Sequence, residues 1–283
     1  MSAQLEPCDE LIIVDDSESF DGTGYDDLSC HNPRILGTGG AGPATARNAG
    51  VRIASGDVVC FTDDDVCLGD RWIEAARSEF RADDEIVAIE GHTWTRPFDP
   101  LYEYSVESTS GRNGLTCNVA YRRSALEALG GFDEQFRFAH CEDVDLFARA
   151  KRLGKARYLP EMTVEHPPRE VTVRAIGARA RWISSERRLF VKHRDLKRYP
   201  LPPLVCAIVT YVRLPLSLIR TELTGRPDPA RIVRVGAIAA VWWFNLFHAL
   251  ILEELGLTRG AHDRAAPNMG DSFDRPTPPR PER

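Results

Sequence analysis

No two of the seven cysteines stand in C-x-x-C or zinc-ligand spacing; Cys8, Cys30, Cys60, Cys67, Cys117, Cys141 and Cys206 are scattered singly. An odd, irregular set reads as reduced intracellular thiols and offers no framework for a metal–thiolate centre. The opening "MSAQLEPCDE" is short, polar and acidic, and so lacks the pattern of a signal peptide. Basic residues are outnumbered, 36 Lys/Arg against 42 Asp/Glu, and the net charge of −6 argues against a nucleic-acid partner. The shortage is uneven. Arg169 to Arg234 holds 15 Lys/Arg against 5 Asp/Glu, a block that suits phosphates or an anionic membrane surface, while the rest of the chain is strongly acidic.

What is present is enough for a full core: 283 residues, 43% of them hydrophobic, fit one large domain with an appendage. Glu10 to Val14, "ELIIV", predicts a buried strand running into the polar Asp15-Asp16. The stretch "GTGGAGPATARNAGVRIASGD" predicts a glycine-rich turn, a helix from about Pro43 to Ala54 and a stop at Gly56. "VVCFT" and "EIVAIEG" predict further strands, and between them "RWIEAARSEF" predicts a helix with Trp72, Ile73, Ala76 and Phe80 near helical spacing. This alternation implies an α/β protein with a mixed, mostly parallel sheet flanked by helices.

Both "IIVDD" and "VCFTDDD" place carboxylates where a strand ends, and in such sheets ligands bind at the carboxyl ends of the strands. Asp15, Asp16, Asp63, Asp64 and Asp65 are thereby candidates for one crevice. Clustered carboxylates repel one another unless a cation sits among them, and oxygen ligands suit Mg²⁺ or Mn²⁺ beside substrate phosphates. The competing reading is a pair of solvated acidic loops.

The stretches "IIVDDSES", "GPATARNAGVRIASGD", "VCFTDDDV", "GLTCNVAYRRSALEALGGFDEQF" and "HCEDVDLFARAKRLG" resemble, in order, the signatures of family 2 glycosyltransferases, inverting enzymes of the GT-A fold. The resemblance spans about Leu11 to His166 and implies a nucleotide-diphospho-sugar transferase with a Rossmann-like sheet. It implies that Asp15 and Asp16 contact the nucleotide's base and ribose, and Arg47 the base or diphosphate. Asp63 and Asp65 match the D-x-D motif, with Asp64 between them; Asp65 would ligate Mn²⁺ or Mg²⁺, and Asp63 would contact the ribose or the metal's shell. Glu142-Asp143 matches the family's E-D pair, with Asp143 as general base. His166 would be a further metal ligand, and Asn118 lies in the segment lining the donor sugar. Chemistry asks for the same equipment: one carboxylate to take the acceptor's proton and a cation to steady the departing diphosphate.

Plainer readings stand beside these. Glu142 and Asp143 open a predicted helix, where acids also serve the helix dipole. His166 before Pro167-Pro168 reads as a strand-end histidine, Arg47 as a surface helix residue, and Asn118 as a loop residue satisfying backbone groups. Family members carry an apolar strand and helix before the "VDD" strand, and only about ten residues precede Leu11 here. The expectation is a chain that starts late and leaves two strand edges unpaired. Two other functions stay open: a sugar-phosphate nucleotidyltransferase-like enzyme, whose early glycine-rich, lysine-bearing signature is missing, and an inactive truncated nucleotide- or carbohydrate-binding fragment.

Beyond residues 1–168, read as the catalytic domain, residues 169–258 read as a basic, helical, membrane-associating region and 259–283 as a disordered tail. "VRAIGARARWISSERRLFVKHRDLKRYP" predicts an amphipathic helix, placed either at a membrane interface or on the catalytic core. Leu201 to Ile219 is apolar but broken by Arg213 and Pro215, whereas Val235 to Leu252 runs 18 residues without a charge. Arg220, Arg226, Arg231 and Arg234 between them argue against two spans. Monotopic attachment to the inner face of the cell membrane, from the cytoplasm, is the preferred expectation, followed by a single span and then a soluble helical subdomain. The implied partners are a nucleotide-sugar donor, a lipid-linked or glycan acceptor and the membrane surface.

Overall fold

The structure is a computed structural model that describes residues 4–23, 25, 32–99, 102–172 and 182–196, with four isolated positions beyond them. Strand β1 (Ile12–Asp15) pairs in parallel with β2 (Arg34–Gly37), and a glycine-rich turn leads into helix α1 (Pro43–Ile53). Pro43 opens α1, where its missing N–H costs nothing. The helix buries Ala44, Ala46 and Asn48 and packs back on β1. Its Gly50 faces Val14, whose Cγ2 would lie 3.1 Å from an added Cβ.

A five-stranded sheet follows, formed by β3 (Val58–Phe61), β4 (Cys67–Leu68), β5 (Ile86–Trp94), β7 (Val119–Arg122) and β8 (Lys155–Glu165). Its order is β3-β7-β5-β8-β4. Only β5 and β8 run parallel; β7 is antiparallel to both β3 and β5, and β4 to β8. The expectation of a mostly parallel sheet is therefore corrected: the architecture is α/β and mixed, but most ladders of this sheet are antiparallel. The reason is topological. A loop rather than a helical crossover returns the chain from β5 to β7, and alternation along the chain does not encode that insertion.

Two cores flank the sheet, as side chains alternate along each strand. Val119 and Tyr121 of β7 pack with Ala44, Leu126, Phe132, Leu146 and Phe147; Ala120 packs with Trp72, Phe80, Ile89, Met162 and Val164. The first core rests on α3 (Arg123–Leu129) and α4 (Glu142–Leu153), the second on α2 (Trp72–Ala82). A small antiparallel pair, β6 (Glu103–Tyr104) with β9 (Arg169–Glu170), sits beyond the end of β8.

Helix α5 (Trp182–Lys192) buries Leu189 against Phe136, Cys141 and Val144, so this part of the basic block packs at the start of α4. Among the described residues no helix is long and apolar enough to cross a membrane. Leu201 to Ile219, nearly all of Val235 to Leu252 and the tail from Arg259 lie outside the described residues. Among the described residues β1 pairs with β2 alone and β3 with β7 alone. The two strands nonetheless start from a shared anchor, the Glu10 carboxylate, which accepts hydrogen bonds from the Ser55 and Gly56 N–H groups just before β3.

Candidate functional site

The carboxyl ends of β1 and β3 carry the two acidic runs. Asp15 accepts hydrogen bonds from the Ser17 N–H (2.7 Å) and the Tyr25 hydroxyl (2.7 Å). The hydrogen bonds from Ser17 and Tyr25 hold its carboxyl below the ordinary range, and the same carboxylate pushes the Tyr25 phenol up. Asp16 is used differently. Its two oxygens take the Thr38 hydroxyl (2.6 Å) and the Gly42 N–H (2.9 Å), which clamps the glycine-rich turn before α1. Gly42 has φ 100° there, and an added Cβ would meet the Arg137 carbonyl at 2.9 Å, so the turn requires glycine.

Arg47, one turn into α1, joins three elements. One nitrogen donates to Glu142 Oε1 at 2.7 Å, another lies 3.5 Å from Asp63 Oδ1, and the guanidinium sits over the Phe132 ring. Burial works against its charge, but the Glu142 and Asp63 carboxylates outweigh that and push its pKa up. The turn that carries Glu142 and Asp143 is entered through Cys141 at φ 73°, a left-handed conformation that costs a non-glycine residue roughly 1–2 kcal/mol. Glu142 is 2% exposed, and its second oxygen, Oε2, has no hydrogen-bond partner. Asp143, half-buried beside it, lies close enough to add to the field on Arg47.

Asp63, Asp65 and His166 offer ligand atoms that all lie within 4.8 Å of one another. His166 follows β8 and is buried, whereas Asp65 is exposed. The Nδ1 of His166 lies 3.1 Å from the Pro167 carbonyl and 3.3 Å from Ser105 Oγ, contacts that set the orientation of the ring. Two carboxylates and an oriented imidazole form a donor set that fits a divalent ion such as Mn²⁺. Arg169 donates its Nε to Asp65 Oδ2 at 2.6 Å and brings a second nitrogen to the same oxygen. Asp64 is exposed and contributes to the field on Tyr25.

Asn118 requires a correction. Its side chain is fully buried, accepting from Trp72 Nε1 (2.8 Å) and donating to Met162 O (3.0 Å) and Thr93 Oγ1 (3.3 Å). An amide with those partners braces the sheet and does not line the crevice. Gly91 leaves it room, since a Cβ there would come within 2.4 Å of the amide oxygen. Next to it Cys117 is buried, and burial pushes its thiol up to about 12, so it stays protonated.

Three groups escaped the sequence reading. Glu90, fully buried in β5, accepts from Ser108 Oγ (2.7 Å) and the Asn113 N–H (3.1 Å) and thereby shapes the loop before β7. Asp145 accepts from Arg149, Lys192 and His193. Arg169 reaches Asp65 across 104 positions. The lone glutamate in the apolar run "IVAIEG" was a signal for the first; the other two pairings left none.

Comparison with known proteins bears on this geometry. Residues 2–130 match the Glycosyl transferase family 2 profile. A pre-mycofactocin glycosyltransferase of Mycobacterium tuberculosis is 29% identical over 254 residues, covering 76% of this chain; the chain spans 51% of that relative's own length. Among solved structures, the mannosyltransferase PcManGT from Pyrobaculum calidifontis, in complex with GDP-Man and Mn²⁺, superimposes with a TM-score of 0.51 at 20% identity, over 86% of this chain and 77% of the other. The fold is thus a GT-A-like α/β fold, and over residues 2–130 the chain is similar to glycosyl transferase family 2.

Proposed function

We propose that this chain is an inverting, metal-dependent glycosyltransferase that moves a sugar from a nucleoside-diphosphate donor to a hydroxyl of a lipid-linked or glycan acceptor. The observation that carries the reading is the meeting of Asp63, Asp65 and His166 within 4.8 Å, with Arg47 tying Asp63 to the E-D turn. The mycobacterial relative is a glycosyltransferase, and the archaeal structural neighbour holds a nucleotide sugar and Mn²⁺. Both support the assignment.

Asp143 is the general base: its carboxylate takes the proton of the acceptor hydroxyl as that oxygen bonds to the anomeric carbon and the bond to the diphosphate oxygen breaks. Asp15, at the end of β1, faces the ribose and base with an ionised carboxylate. Arg47 fixes Asp63 and Glu142 relative to one another, and this holds Asp143 at a set distance from the diphosphate site. Asp63, Asp65 and His166 would hold Mn²⁺ or Mg²⁺, which when bound supplies positive charge to the leaving diphosphate. The basic block and the apolar stretches from residue 201 support a proposed seat at the inner face of the cell membrane, where a lipid-linked acceptor would be presented.

Calorimetry with UDP, dTDP and GDP, each with Mn²⁺ and with excess chelator, tests the reading in detergent. One nucleotide should bind only with the metal present. A folded chain that binds none of the three, or binds equally with chelator, contradicts it. With donor and acceptor in hand, Asp143→Asn should lower kcat by at least about 100-fold and leave nucleotide affinity within about twofold, since a general base contributes ~10²–10⁴.

A further inference from the structure

The Asp65 carboxylate that belongs to the candidate metal site is already held by Arg169, whose Nε lies 2.6 Å from Oδ2. A guanidinium stays charged at every working pH, so it and a divalent ion are rivals for one oxygen. Arg169 stands three residues after His166: His166 directly follows β8, Arg169 opens β9, and both side chains reach the Asp65 region. They are mounted differently. The His166 ring is buried and pinned through Nδ1 to the Pro167 carbonyl, whereas the Arg169 side chain is 43% exposed and sits on a two-residue strand. The Arg169 guanidinium, which also hydrogen-bonds Tyr104, is the more exposed arm of the two.

We infer that Arg169 is a positioning residue of the donor site: it acts as the counter-ion of Asp65 until a divalent ion arrives, then turns to the donor's diphosphate. The inference rests on the functional reading above and assigns that site a residue beyond its predicted set. An arginine displaced from Asp65 cannot remain beside the metal without like-charge repulsion. The nearest strong anion in a loaded site is the diphosphate, to which a guanidinium fork offers paired hydrogen bonds. Exposure makes the Arg169–Asp65 pair weak, as an exchangeable latch requires. The latch also lessens repulsion between Asp63 and Asp65 before the metal binds. Metal and donor then load cooperatively, because each removes an obstacle to the other.

Removing Arg169 should shift two affinities in opposite directions. Titration of Mn²⁺ alone into the whole chain, read by electron paramagnetic resonance of the free ion, should give Arg169→Ala an affinity about two- to fivefold tighter than wild type, the range of an exposed ion pair. Calorimetry at saturating Mn²⁺, with whichever of UDP, dTDP or GDP the wild-type chain binds, should give about tenfold weaker nucleotide binding in the same variant. Arg169→Lys keeps the charge and should leave the Mn²⁺ affinity near wild type. His166→Ala, as a control, should lose Mn²⁺ affinity whichever way Arg169 behaves. A merely structural arginine would weaken both affinities on removal, and a bystander would change neither; either result overturns the inference while leaving the proposed function standing. A wild-type chain that binds no Mn²⁺ overturns both.

Discussion

Arg47 is where the residue scale decides most, because two carboxylates from different elements depend on one guanidinium. Glu142 is 2% exposed and has one oxygen without a partner, so losing Arg47 would strand a buried negative charge. Arg47→Ala is predicted to lower the unfolding free energy by about 3–5 kcal/mol in urea melts, the usual cost of breaking a buried pair. Adding Glu142→Gln should restore much of that loss, since the stranded charge is gone; a double variant no more stable than Arg47→Ala would show that packing over Phe132 matters more. The candidate site was legible in its charges and not in its contacts. Asp63, Asp65 and His166 bring their ligand atoms within 4.8 Å of one another. By contrast, Asp16 is engaged by the Thr38 and Gly42 donors and Asn118 by Trp72 and Met162, uses that no residue type announces.

At the scale of elements the decisive contact is α5 on α4. Asp133, in the turn before α4, accepts from Lys192 Nζ at 2.8 Å and from Arg188 Nε at 3.3 Å, while Asp145 inside α4 takes the His193 ring at 2.7 Å. Burial works to raise the Asp133 carboxyl, but the Lys192 hydrogen bond and the Arg188 charge hold it below its ordinary value of 3.8. A carboxyl depressed in the folded state stabilises fully above its unfolded value, and the contribution is lost as pH falls through the lower folded value. The docking of α5 should therefore be intact above about pH 4 and loosen below it. Hydrogen exchange of α5 amides, corrected for intrinsic rates, should rise there, and Asp133→Asn should raise it already at pH 7; flat protection in both would remove Asp133 from the interface. Helices α1 and α2 were readable within a residue or two because proline, glycine and apolar spacing mark them. The packed place of α5 was one of two open readings, since an amphipathic pattern does not say whether its apolar face meets protein or lipid.

For the molecule as a whole, the site is assembled from separate pieces: β1 and β2 form one small sheet, β3 starts a second, and α1 crosses between them. Asp15 belongs to the first sheet, Asp63 and Asp65 follow the edge strand of the second, and His166 leaves its β8. Strand order stayed hidden in the sequence because β7 enters between β3 and β5 from a loop, and local periodicity carries no record of which strands become neighbours. A ligand that touches both sheets at once binds the folded arrangement and not the unfolded chain, so it must stabilise the whole fold by mass action. At 100 times its Kd a nucleotide bound through Mn²⁺ contributes about 2.7 kcal/mol, which for a domain of this size raises Tm by roughly 5–10 °C. Thermal melts with UDP, dTDP or GDP plus Mn²⁺ should show that rise for one nucleotide, and chelator should abolish it. Asp65→Ala should abolish it too while leaving the ligand-free Tm within a degree or two, because its side chain is exposed and its pair with Arg169 contributes little. An equal rise in Asp65→Ala would mean that the nucleotide is held without the metal cluster, by the end of β1 and Arg47 alone.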